Sequence, residues 1–207
     1  MKLRPILALG LILAFATNPT RSQIVVTFDD LSETGSGAFL QGYQGLTWSN
    51  ILCNNAILRT NVEDHIFTNG LSGDFYGMVS ASNVALMFPN CEIDSPGTNF
   101  NFLSAFLTGY VNSNVNIEVE GFNGANKIYD TIVVAAATNA TLFTFNYLDI
   151  NRLYFNPYGG ELAFGGGSAA AFVMDNFEYE SVPEPSSLLL TALALVSLWS
   201  FARRRRA

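Results

Sequence analysis

Three acids stand where a cation could be held. Asp29 and Asp30 follow the apolar alternation of Ile24, Val26 and Phe28, and Asp175 lies within the segment Phe172 to Tyr179. A period of two puts Asp30 on the face of Phe28 and Asp175 on the face of Val173 and Phe177. A carboxylate among apolar neighbours needs a partner or a cation. If their two strands are adjacent, the acids converge in a way that suits a structural Ca²⁺, which prefers oxygen ligands; hydrogen bonding in strand-end turns would use the same residues, and both readings stay open. His65 is the only histidine, so a Ser-His-Asp device would depend on it. No Gly-x-Ser-x-Gly nucleophile segment accompanies it. Glu118 and Glu120 are a carboxylate pair of the type a glycosidase needs, though they lie on the polar face of an alternating strand. Gly165-Gly166-Gly167 lacks the lysine of a phosphate cradle, and no Cys/His cluster has zinc-type spacing. Trp48, Tyr43, Tyr76 and Tyr158 sit near glycine-rich turns, where aromatic rings either stack on sugars or pack the core.

The segments that must position these residues read as strands. Val115, Ile117 and Val119 alternate with Asn116, Glu118 and Glu120, a half-buried strand. Ile128 to Val134 is another, after the turn signal Asn123-Gly124. Phe143, Phe145 and Tyr147 share a face, Leu153 and Phe155 follow in a short strand, and Val173, Phe177 and Tyr179 share a face of the last one. The stretch Phe100 to Tyr110 fits either helical or strand spacing. Thr98, Asn99 and Gly109 favour the strand. Residues Ser32 to Pro96, rich in Gly, Asn and Ser, read as a loop-rich edge of the same domain. The expectation is an all-β body, one β-sandwich or barrel.

Charge is unevenly spread. Residues 23–181 hold three basic and sixteen acidic side chains, a net charge of −13, and the remaining seven basic residues sit at the two ends. Such a body repels phosphate backbones, which argues against nucleic acid as a partner. It suits divalent cations, or simply keeps the domain soluble. Cys53 and Cys91 are the only cysteines. An even count points to a disulfide if the chain reaches an oxidising compartment, as its two ends indicate below, with two separate buried thiols as the alternative.

Both ends carry targeting chemistry. Residues 1–22 read as a signal peptide handled by the Sec translocon: Lys2 and Arg4 precede an apolar run from Ile6 to Ala16, too short to span a bilayer comfortably. Cleavage fits after Ser22 and, less well, after Ala16. At the other end Pro183, Glu184 and Pro185 make a stiff extended segment. An uncharged stretch from Ser187 to Ala202 then reads as a short transmembrane helix. The cluster Arg203, Arg204, Arg205 and Arg206 keeps the terminus cytoplasmic and the body outside.

Taken in this order, Pro183-Glu184-Pro185, the apolar stretch and the terminal arginines resemble the PEP-CTERM sorting signal of bacterial exported proteins. The resemblance implies recognition by an exosortase, a membrane protease of transpeptidase type, cleavage near the motif, and delivery to the cell surface or the extracellular polysaccharide matrix. Thr27 to Leu31, Gly42-Tyr43 with Gly45 to Asn50, Phe100 to Ala105 with Leu107-Thr108, and Phe172 to Phe177 also resemble the jelly-roll bodies that accompany this signal. That likeness implies a sandwich with its first and last strands side by side, and a similarity to carbohydrate-binding jelly rolls. The resulting organisation is a signal peptide (1–22), an extracellular β-sandwich (23–181) and a sorting segment (182–207). The expected function is that of a non-catalytic, membrane-anchored and then surface or matrix protein, structural or weakly glycan-binding. A secreted glycan-active hydrolase is the alternative.

Overall fold

The computed structural model describes residues 22–31, 38–40, 42–57, 72–164 and 170–182. Twelve strands run through them: β1 (Gln23–Val26), β2 (Ala38–Phe39), β3 (Thr47–Asn55), β4 (Asn83–Asp94), β5 (Phe100–Gly109), β6 (Asn112–Ser113), β7 (Val115–Asn123), β8 (Asn126–Ala135), β9 (Thr141–Ile150), β10 (Arg152–Tyr158), β11 (Glu161–Leu162) and β12 (Phe172–Ser181). A short α-helix, α1 (Gly73–Gly77), and a single 3-10 turn at Tyr43–Gly45 interrupt them.

Ten strands form one sheet along the order β8-β7-β10-β4-β12-β5-β9, with β1 on β12, β3 on β4 and β2 on β3. β6 and β11 make a separate ribbon. β4 is the pivot. Its first half pairs with β12, Met87 to Ala85 against Phe172 to Met174, and its second half pairs with β10, Cys91 to Asp94 against Phe155 to Arg152. β3 follows the opposite edge of β4 throughout, with a register shift between Ser49 and Ile51. Both strands bend at asparagines in the left-handed region, Asn50 (φ 59) and Asn90 (φ 60). The Asn50 amide donates to the carbonyl of Pro89 at 2.8 Å, tying the two bends together. Short polar side chains tolerate this backbone at the least cost after glycine.

The ends of the strand order, β8 and β9, approach through side chains. The Leu148 N–H donates to the Tyr129 hydroxyl at 3.1 Å, and the Tyr129 and Tyr147 rings stack at 4.4 Å. The sheet is thereby nearly closed around a phenylalanine-rich core. Phe102 stacks between Phe145 (4.7 Å) and Phe177 (4.9 Å), with Phe155 edge-on at 6.3 Å.

Several expectations hold. Phe100–Gly109 is a strand, Val115, Ile117 and Val119 face inward, Asn123-Gly124 makes the β7–β8 turn with Gly124 at φ 59, and the first strand lies beside the last, Gln23 opposite Glu180. Others need correction. The region expected to be a loop-rich edge contains β3 and β4, and β4 pairs with three strands at the middle of the sheet. Asn83 to Met87 is buried on both faces, so no alternation marks it, and Pro89 argues against a strand from sequence. Val173 does not share a core with Phe177 and Tyr179. The register shift after Asp175, with Asn176 at φ 49, changes the phase of β12. Val173 therefore packs with Ala56, Val84, Leu86 and Ala171, while Phe172, Met174, Phe177 and Tyr179 enter the main core.

The disulfide expectation is also overturned: Cys53 and Cys91 are buried free thiols. Cys53 of β3 is paired with Ala85, six residues along β4 from Cys91. At about 3.3 Å per residue that is roughly 15–20 Å even through the bend, against the 4.4–6.8 Å between α-carbons that a bridge requires. Burial, then the nearby Asp29 and Asp30 carboxylates, pushes the Cys53 thiol up to about 11. Burial alone dominates at Cys91, which is raised further.

Candidate functional site

The acids expected at a cation site instead clamp a loop. β1 ends at Val26, and Phe28 turns away at φ 65 with Asp29 and Asp30 in the following turn. Asp29 Oδ1 accepts the N–H groups of Ser82 and Asn83, both at 3.0 Å. Asp175 is fully buried; its Oδ2 accepts the N–H groups of Val79 (2.7 Å) and Ser80 (2.9 Å), and its Oδ1 accepts Asn176 N–H (2.7 Å) and the Ser80 hydroxyl (3.0 Å). Both carboxylates thus hold residues 79–83, where the chain enters β4. Asp30 accepts the Tyr43 hydroxyl. Burial raises Asp29, but the Asn83 and Ser82 amides and the Ser80 and Thr27 hydroxyls outweigh it and leave the group below the ordinary carboxylate range. At Asp175 burial wins over the same kind of donors, and the group lies above that range.

Among the described residues, the acids that bring three carboxylates within 4.8 Å of one another are Glu118, Glu120 and Asp130, rather than Asp29, Asp30 and Asp175. They lie side by side on the outer face of β7 and β8. Lys127 bridges two of them, at 2.6 Å from Glu120 and 2.7 Å from Asp130. This is a surface cluster in which one lysine offsets part of the charge of three acids.

The aromatic candidates divide. Trp48 is buried, edge-on to Phe177 (5.5 Å) and Phe28 (5.7 Å), and its indole N–H donates to the Tyr43 carbonyl at 2.8 Å. Tyr43 packs on the same group, and Tyr76 stacks on Phe164 at 5.7 Å. Of the four, Tyr158 alone is exposed. His65 and Gly165 to Gly167 lie outside the described residues.

A cleft the sequence did not announce lies at one end of the sheet. Asp94, Ser95, Pro96, Gly97, Gly124, Asn151 and Arg152 line about 360 Å³, within the range of small-molecule sites. Strand register assembles it: Arg152 of β10 is opposite Asp94 of β4 on one side and Phe122 of β7 on the other. The guanidinium lies over the Phe122 ring at 4.3 Å. Among the described residues nothing hydrogen-bonds it, and its Nε is buried without a partner. Burial raises the Asp94 carboxyl, Glu92 adds to this, and Arg152 opposes it. The walls are fixed by polar contacts: Gly124 N–H to Asn151 Oδ1 (3.1 Å), Ser95 N–H to the Asn151 carbonyl (2.9 Å) and the Ser95 and Thr98 hydroxyls at 3.2 Å. The only hint in the sequence was that Arg152 is one of three basic residues in the body.

The chain leaves the body beside this cleft. Ser181 closes β12 opposite Phe100, and the Val182 N–H donates to the Asn99 carbonyl at 2.9 Å, on the loop that carries Ser95 to Gly97. Residues 181–206 match the PEP-CTERM protein-sorting motif. The match begins on the last residue of β12 and runs through Pro183, Glu184, Pro185 and Arg203 to Arg206, which lie outside the described residues, as does the expected signal peptide. The PEP-CTERM motif implies an exported protein with a C-terminal membrane-anchoring signal, processed by exosortase, a membrane protease. Among the described residues no helix is long and apolar enough to cross a membrane; the apolar stretch of the motif lies beyond them.

No curated protein matches the chain. Among solved structures, a DUF4465 family protein from Bacteroides ovatus is similar with a TM-score of 0.45 and 11% identity, over 80% of this chain and 90% of that one. TmCBM61, solved in complex with β-1,4-galactotriose, is similar with a TM-score of 0.34 and 9% identity, over 69% and 96%.

Proposed function

We propose that this chain is a non-catalytic protein of the cell surface or extracellular polysaccharide matrix, held in the membrane only until exosortase removes its tail. The observation that carries the reading is the junction. The sorting motif starts at Ser181, a residue still paired in the sheet, and Val182 is still hydrogen-bonded to Asn99. Cleavage at the Pro183-Glu184-Pro185 segment would therefore free the whole β-body and leave almost no tail on it. The body is structural or binds glycan weakly. The polar lining of the Asp94–Arg152 cleft suits a hydroxyl-rich ligand. A glycan hydrolase is the less favoured reading, because such chemistry takes two carboxyl groups flanking the bond and the cleft is lined by one, Asp94. The left-handed bends at Asn50 and Asn90 and the pairing of the first strand with the last support a jelly-roll-like body.

The test is to map the mature C-terminus of the surface-delivered protein by mass spectrometry, with and without Pro183-Glu184-Pro185. The expected product ends near the motif, and deleting the motif leaves the chain in the membrane. An intact Arg203 to Arg206 tail on the surface-delivered form would overturn the proposal.

A further inference from the structure

Two basic side chains occur among the described residues, and they are used differently. Lys127 is consumed by Glu120 and Asp130 on the open face of the sheet. Arg152 lies over the Phe122 ring at the cleft, with its donors unspent and its Nε cut off from solvent. A guanidinium fixed in this way has already lost most of its rotamer freedom, and its planar fork matches a carboxylate with two parallel hydrogen bonds. The rest of the lining, Ser95, Asn151 and Asp94 with exposed backbone at Gly97 and Gly124, is mostly polar.

We propose that this cleft binds a uronate, a sugar residue bearing a carboxylate, with Arg152 receiving the carboxylate and Asp94, Ser95 and Asn151 receiving ring hydroxyls. The proposal rests on the reading of the body as a glycan-associated matrix protein and names the class of sugar. The charge count narrows it further. Asp94 sits beside Arg152 and the body carries −13, so a singly charged carboxylate is tolerated where a phosphate dianion is repelled. The same field opposes long polyuronates at low salt. The site therefore suits an isolated uronate in a largely neutral glycan, and about 360 Å³ accommodates a short segment rather than an extended chain.

The test titrates the full chain in detergent with two trisaccharides that differ only in a terminal glucuronate against glucose, and with the sulfated analogue as a third arm. The glucuronate form should bind about 10–100-fold more tightly than the glucose form, the difference that charge-assisted hydrogen bonds to one carboxylate produce. Arg152→Gln should erase that difference, and Arg152→Lys should keep no more than about a tenth of the affinity. Amide shifts of Gly97 and Gly124 in the unmodified protein on titration locate the site even if a variant folds poorly. Equal affinity for glucuronate and glucose forms, tighter binding of the sulfated form, or an Arg152→Gln variant that behaves like the parent would overturn the proposal. Retention in the matrix through neutral glycan alone would sink this inference and leave the glycan-associated reading standing. Glucuronate binding at the cleft without retention in the matrix would do the opposite.

Discussion

Replacing Asp175 with alanine tests whether the acids first suspected of holding a cation hold the chain instead. The carboxylate accepts three backbone N–H groups, from Val79, Ser80 and Asn176, and the Ser80 hydroxyl. Each donor left without an acceptor costs about 1–3 kcal/mol. Water reaching the half-buried loop recovers part of this, and the variant no longer buries a charge, so a net loss of about 3–5 kcal/mol is expected. For a body of this size that is a fall of about 6–20 °C in the melting temperature. Asp175→Asn keeps one oxygen for Val79 and Ser80 but turns an N–H₂ toward the Asn176 N–H, so its loss is about 1–3 kcal/mol. The assay is thermal unfolding of both variants followed by far-ultraviolet circular dichroism, with and without chelator. An alanine variant within about 1 kcal/mol of the parent, or an asparagine variant as poor as alanine, refutes the clamp. A chelator effect of several degrees on the parent would restore a structural calcium.

The pH dependence of the two clamps should have opposite signs. Asp29 lies below its ordinary value, so its contribution is present above about 3.9 and is lost as pH falls through the folded value; Asp175 lies above, so its contribution is fullest below about 3.9 and shrinks as pH rises through the folded value. Melting of Asp29→Ala and Asp175→Ala from pH 3 to 8 checks this, and parallel profiles would contradict it. Cys53 and Cys91 should both alkylate after denaturation and hardly at all before it at pH 8, with no gel shift on reduction; a reducible shift would contradict the register that separates them. Gly109→Ala should cost at least about 3 kcal/mol, because its new methyl would lie 2.1 Å from the Asn112 carbonyl oxygen. Near-parental melting of that variant would show that the β5–β6 connection can yield.

Strands that are half-buried and unbent were legible. Val115, Ile117 and Val119 alternate in sequence and face inward in β7, and Asn123-Gly124 turns the chain as its residue types require. What escaped were strands that bend. Asn50 and Asn90 fall in the stretch expected to be loop-rich, yet each sits inside a strand in the left-handed region, and Asn176 does the same inside the last strand, whose existence was legible but whose phase was not. A bulge of one residue inverts the inside and outside of everything after it, which is why Val173 and Phe177 part company. β4 escaped for another reason: a segment buried on both faces shows no period.

The export address was determined by sequence alone, because it is read by membrane and protease in linear order: Pro183-Glu184-Pro185, an apolar stretch, then Arg203 to Arg206, the span that matches the PEP-CTERM motif. The cleft was decided only by tertiary structure. Asp94, Phe122 and Arg152 lie at least twenty-eight positions apart in the chain and meet because β10 pairs with β4 on one edge and β7 on the other. Register across three strands is set by the bends and the buried face, and those depend on long-range packing that no local pattern of residues encodes.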